Sequence, residues 1–94
     1  MRLSKDEIEV LKASLKKLST EARLYLFGSR ADDSKRGGDI DLLVLSEKLK
    51  PKDLRNLRLD FFKNFGEQKM DILLDDGKLS TPFSQIAFKG AVAL

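Results

Sequence analysis

Two stretches decide the fold: Ala22-Arg23-Leu24-Tyr25-Leu26-Phe27-Gly28-Ser29 and Gly38-Asp39-Ile40-Asp41-Leu42-Leu43-Val44-Leu45. Each carries a short apolar run flanked by glycine, the pattern of a strand buried on both faces. The first run, residues 22–27, ends at Gly28-Ser29, and the second begins on two aspartates. Between them Ser29 to Gly38 is polar and closes on two glycines, which predicts a helical turn opening at Ser29 and then a loop.

Upstream, Ser4 and Glu7 form a capping box, and Leu3 with Ile8 has the spacing of a hydrophobic staple. Ile8, Leu11, Leu15 and Leu18 then recur at helical spacing, so a helix is predicted through about residue 18. Downstream, Pro51 opens a helix carrying Leu54, Leu57, Phe61, Phe62 and Phe65, with Gly66 as its stop. Lys69 to Leu74 reads as a third strand, followed by a turn at Asp75-Asp76-Gly77. Thr81-Pro82 caps a last short helix, in which Phe83, Ile86 and Ala87 are expected to face inward and which Gly90 ends. This alternation predicts an α/β fold, a small mixed sheet of about three strands with helices packed on it, as one domain over residues 1–94.

Composition narrows the chemistry. The chain has 94 residues, 41% hydrophobic and 35% charged, which suits a globular protein and is too apolar for a disordered one. No apolar run approaches the ~20 residues of a membrane helix, and the N-terminus has acids where a signal peptide needs apolar residues, so a cytoplasmic protein is expected. There is no cysteine and no histidine. That excludes disulfides, thiolate zinc sites, cysteine nucleophiles and Ser-His-Asp catalysis. Hard oxygen ligands remain, and these suit magnesium or manganese. The net charge of +3 includes Lys12, Lys16 and Lys17 on one segment and Lys48, Lys50, Lys52, Arg55 and Arg58 on another. Solvated helix faces explain these charges more simply than a nucleic-acid groove, since no RNP-type aromatic pattern or helix-turn-helix signal accompanies them.

Three features bear chemistry. Gly28-Ser29 sits where a strand turns into a helical turn, a place where backbone amides and a hydroxyl can cradle phosphate, although a plain tight turn reads the same way. Asp39 and Asp41, two residues apart, share one face of the second strand, with Ile40, Leu42 and Val44 on the other. Acids can begin a strand as solvated ends, but two carboxylates ~4 Å apart repel by about 4 kcal/mol at an effective dielectric of about 20. A cation would relieve that repulsion. Asp71 lies inside the third strand, against strand propensity, and would join the pair if that strand adjoins the second. Three carboxylates beside a phosphate-holding turn make a two-metal site for phosphoryl or nucleotidyl transfer. Asp75 and Asp76 read as turn residues.

Leu26-Phe27-Gly28-Ser29-Arg30-Ala31, followed by Gly38-Asp39-Ile40-Asp41-Leu42-Leu43-Val44, resembles the signature of the DNA polymerase beta-like nucleotidyltransferase superfamily. Within it the chain looks most like the minimal nucleotidyltransferases, small proteins often paired with a HEPN-domain protein in prokaryotic toxin–antitoxin pairs. The resemblance covers nearly the whole chain, including Ile86 to Val92, which is similar to the helix and glycine that close such domains. It implies that Gly28 and Ser29 bind the β- and γ-phosphates with help from Arg30. It further implies that Asp39 and Asp41 bridge two magnesium ions, and that Asp71 completes the metal site and orients or deprotonates the acceptor hydroxyl. The donor would be ATP, the acceptor a tyrosine of a HEPN-type toxin held in a hetero-oligomer, and the second product pyrophosphate. The alternative is a binding module that neutralises such a partner by contact alone. Nucleotidylation of a small molecule, of the aminoglycoside-resistance type, would need an acceptor pocket that so short a chain is not expected to build. Two departures stand out: nine residues separate Ser29 from Asp39, one fewer than is usual, and Asp32-Asp33 stands where relatives commonly have Arg-Gly, with Lys35 and Arg36 close by as counter-charges.

Overall fold

Helix α1 (Lys5–Leu18) begins at the capping box. Ser4 Oγ accepts from the Glu7 amide at 3.1 Å, and Glu7 Oε1 accepts from the Ser4 amide at 2.9 Å. Two of the amides that a helix start leaves unpaired are thereby satisfied. A computed structural model describes residues 1–94. After α1 come β1 (Arg23–Phe27), a 3-10 turn at Gly28–Ala31, β2 (Ile40–Leu45), and a second 3-10 turn at Pro51–Asp53 that runs into α2 (Leu54–Phe65). The chain continues through β3 (Met70–Asp75), α3 (Pro82–Lys89) and β4 (Val92–Ala93). No helix is long and apolar enough to cross a membrane.

The strands form one mixed sheet in the order β3-β2-β1-β4. β1 runs antiparallel to β2 and β4, whereas β2 and β3 are parallel, joined by the crossover that α2 makes. The sheet therefore has four strands where about three were expected. The additional strand, β4, pairs only at Tyr25↔Ala93 and Leu26↔Val92, and two residues are too few to show an alternating pattern in the sequence.

Ile40, Leu42 and Val44 of β2 join Leu24 and Leu26 of β1 in the main core. Leu11 and Leu15 of α1 and Leu54, Leu57 and Phe61 of α2 pack onto that face. Ser14 Oγ donates to Asp60 Oδ2 at 2.7 Å, tying the two helices together. Tyr25 and Phe27, the alternate residues of β1, point to the other face and meet α3 there: Tyr25 pairs with Phe88 at 5.2 Å and Phe27 with Phe83 at 6.4 Å between ring centroids, both edge-on.

Helix α3 docks differently from the expectation that Phe83, Ile86 and Ala87 all face inward. Ala87 and Ser84 are buried, but Phe83 is 62% and Ile86 75% exposed. The rings of Tyr25 and Phe27 already occupy this side of the sheet, so the helix approaches through its two small residues, with Phe88 packed edge-on against Tyr25, while Ile86 and most of Phe83 turn outward. Ser84 is accommodated because its amide donates to Thr81 Oγ1 at 3.1 Å and its Oγ accepts from the same hydroxyl at 2.9 Å.

Leu57→Ala, at a fully buried position, is expected to cost about 2–5 kcal/mol in urea denaturation. Ile86→Ala should stay within about 0.5 kcal/mol of the wild type, because that side chain lies largely in solvent.

Candidate active site

The topology gathers the chemically distinctive residues at one end of the sheet. Because β1 is antiparallel to β2 and β3 is parallel to it, the end of β1 lies beside the starts of the other two strands. Phe27 is opposite Asp41, and Asp41 is opposite Asp71. Residues opposite one another in a sheet project from the same face, so both carboxylates emerge on the face that α3 partly covers. Asp39 precedes β2 by one residue, two positions from Asp41, at the same end. Asp71 is exposed rather than lodged among its apolar neighbours, and Asp41 is half-buried.

Gly28 is required twice over. Its φ of 74° lies in the left-handed region, and a Cβ built there would overlap Asp41 Oδ2. The backbone of the turn thus rests directly on the carboxylate. Gly37 plays a related part, since a Cβ there would overlap Ser29 Oγ. The second glycine-rich end of the loop therefore folds back onto the serine of the first.

Two arginines hold this arrangement. Arg30 donates through Nε and Nη2 to the Gly38 carbonyl at 3.2 and 2.9 Å, and through Nη1 to the Arg2 carbonyl at 3.1 Å. Arg2 in turn donates from its amide to the Arg30 carbonyl at 2.8 Å and from Nη2 to the Ser29 carbonyl at 3.2 Å. Arg30 therefore ties the two ends of the loop to each other. The involvement of Arg2 was not foreseen, because nothing in its local sequence points to a partner 27 residues away.

The loop acids are tied down locally. Ser34 donates its hydroxyl and amide to Asp32 Oδ1 at 2.6 and 2.9 Å, and these bonds hold the Asp32 carboxyl below its ordinary range. Asp33 pairs with the N-terminal ammonium of Met1. Asp75 lies at the far end of β3 and accepts from the Gly77 and Leu79 amides at 2.8 and 3.0 Å, the expected turn role. Burial acts to raise its carboxyl, but the bonds from Leu79, Gly77 and neighbouring side chains outweigh that and leave it lowered.

Asp41 has the opposite balance. Burial pushes its carboxyl up, the negative charges of Asp71 and Asp39 add to the rise, and Lys69 opposes it only in part. Lys69 Nζ is 3.4 Å from Asp39 Oδ2, with both side chains well exposed. As the side chains stand, no three carboxylates are drawn together closely enough to grip an ion. Their donor set is nevertheless one that suits a hard divalent cation, with Asp41 and Asp71 opposite each other on strands ~4.8 Å apart.

Two outcomes are expected. Gly28→Ala should destabilise the fold by more than about 1 kcal/mol, because the new methyl meets both an unfavourable φ and the Asp41 carboxylate. In metal-free buffer, Asp41 titrates above its unfolded value, so folding takes up a proton and stability falls as pH rises from the ordinary carboxylate range through the raised one. Thermal melts in chelator should show Asp41→Asn more stable than the wild type above that window and should show the advantage vanishing below it. An Asn variant that melts lower throughout would mean that the charge is compensated within the protein.

Comparison with known proteins bears on the same end of the sheet. A family model described as nucleotidyltransferase domain matches residues 8–92, a span that holds the Gly28-Ser29 turn and all three aspartates. Among curated proteins no match was found. The mixed four-stranded sheet with three helices is consistent with the fold of that family. With the family model spanning nearly all of its length, the chain belongs to the nucleotidyltransferase domain family.

Proposed function

We propose that this protein is a minimal, divalent-metal-dependent nucleotidyltransferase that moves a nucleotidyl group, AMP from ATP, to a hydroxyl of a partner protein. The observation that carries the reading is the seating of the Gly28 backbone on Asp41, which itself lies opposite Asp71 on the next strand. This contact brings the backbone of the Gly28-Ser29 turn against one carboxylate, with a second opposite it on the neighbouring strand, which supports reading the turn as a phosphate cradle beside metal ligands. In the proposed site Gly28 and Ser29 hold the β- and γ-phosphates, with Arg30 acting through the loop ends that it ties together. Asp39, Asp41 and Asp71 would hold the ions, magnesium or manganese. Such ions neutralise the triphosphate and stabilise the charge that develops on its oxygens. Asp71, the most accessible of the three strand carboxylates, takes the proton of the acceptor hydroxyl. The acceptor oxygen then bonds to the α-phosphorus, the α–β bridging bond breaks, and pyrophosphate leaves.

The acceptor is proposed to be a tyrosine of a HEPN-type partner, with the two proteins acting as an antitoxin pair in the cytoplasm. α1 and α2 cover one face of the sheet and a single short helix covers the other only in part, so the face on which the carboxylates emerge is open to an acceptor. A second reading is a module that acts by contact alone. Lys69 beside Asp39 and the lack of convergence of the three carboxylates favour it.

Intact-mass measurement of a HEPN-type partner after incubation with magnesium and ATP separates the two. An added adenylyl group on the partner is expected for the enzyme, whereas a stable complex with unmodified partner would establish the module. Asp39→Asn and Asp41→Asn should each lower transfer at least about a hundredfold, since each removes a ligand to ions worth several kcal/mol in the transition state. Magnesium should also raise the melting temperature of the wild type, and less so that of Asp41→Asn.

A further inference from the structure

The outward face of α3 is only partly used by the fold, through the edge-on contact of Phe83 with Phe27. Phe83 and Ile86 are two of its largest side chains, yet both lie mostly in solvent. They form one wall of a groove of about 440 Å³, whose other lining includes Phe27 and Gly28 of the phosphate turn and Asp32 and Lys35 of the loop that follows. The groove therefore opens at the residue whose backbone rests on Asp41 and runs along α3 as far as Gly90.

We infer that this groove is the nucleobase site, with Phe83 as the aromatic surface on which the base stacks. The inference rests on the nucleotide-site reading above and extends it to the part of the ligand that the phosphate turn and the aspartates do not contact. Three observations select a base over other occupants. The groove is continuous with Gly28, so a ligand anchored there by an anionic tail would present its head group to α3. Its volume lies within the range of small-molecule sites and is too small for a helix. The edge-on contact with Phe27, at 87° between ring planes, fixes Phe83 while leaving 62% of the side chain open to a ligand. Ile86 supplies apolar contact further along, and Asp32 and Lys35 offer an acceptor and a donor at the rim for the edge of the base. Aromatic stacking of this kind tolerates any base, so Phe83 provides affinity and the rim provides whatever selectivity exists.

Calorimetric titration of the wild type, Phe83→Ala and Phe83→Tyr with magnesium ATP and with magnesium tripolyphosphate tests this directly. The wild type should bind ATP more tightly than tripolyphosphate. Phe83→Ala should weaken ATP by roughly tenfold and leave tripolyphosphate unchanged, and Phe83→Tyr should keep the affinity for ATP. Because Phe83 is mostly exposed, the alanine variant should fold normally, and its melting temperature checks that. Equal losses for both ligands, or no loss for either, would overturn the base site while leaving the phosphate site in place. Failure of both ligands to bind the wild type would overturn the nucleotide-site reading and this inference together. If the wild type self-associates in sedimentation, and Phe83→Ala abolishes that without changing the ratio of ATP to tripolyphosphate affinity, the face is a contact between copies and the inference is wrong.

Discussion

The contact between the Gly28 backbone and the Asp41 carboxylate is the constraint on which the rest of the site depends. It exists because β1 pairs with β2 in a register that puts Phe27 opposite Asp41, so the residue after Phe27 must turn directly over the carboxylate. Only a residue with no Cβ can do so at a φ of 74°. The same register carries across to β3 and places Asp71 on the other side of Asp41. One half-buried carboxylate is thereby enclosed by a turn on one flank and a like charge on the other, an arrangement that raises its affinity for a proton. A divalent cation would relieve the same strain. The fold sustains it because the opposite side of β2 is anchored in the core through Ile40, Leu42 and Val44, all fully buried.

The loop between the turn and β2 solves a second electrostatic problem. Its two acids are both engaged within the protein, Asp32 through one oxygen by Ser34 and Asp33 by the N-terminal ammonium. Arg30 donates through all three guanidinium nitrogens to the carbonyls of Gly38 and Arg2, and Arg2 adds one bond from Nη2 to the Ser29 carbonyl, closing the loop like a clasp. Asp32 and Asp33 thus act at the periphery of the turn rather than at its centre. Gly37 lies so close to Ser29 that a Cβ there would overlap its hydroxyl, which brings the far end of the loop back onto the turn.

The two faces of the sheet are treated unequally. α1 and α2 seal one side around Phe61, Leu57 and Leu11, whereas α3, at eight residues, covers the other only in part. The open remainder is where the carboxylates emerge. The outward Phe83 and Ile86 belong to the same asymmetry: they border the open side rather than completing a core.

Much of this was legible in the residues themselves. The capping box at Ser4 and Glu7, the strand read from residue 39 and observed at Ile40–Leu45, and the stop at Gly66 are local matters, settled by backbone amides, apolar periodicity and glycine's conformational freedom. The pairing of Gly28-Ser29 with Asp39 and Asp41 was visible for the same reason, being a pattern of neighbours along the chain. What the sequence could not display was anything that depends on elements far apart meeting in space. β4 is too short to announce itself and exists because β1 offers it an open edge. Arg2 acquires its partners only when the first residues pass the loop. Phe83 and Ile86 had the spacing of a buried stripe, yet the rings of Tyr25 and Phe27 determine which side of α3 can approach the sheet. Sequence alone determined three of the four strands and the three helices, because these are set by local periodicity, capping and glycine stops. The tertiary structure decided which carboxylate bears the strain, what ties down the loop and which apolar face stays open, because each depends on packing and on charge across the sheet, which no local pattern records.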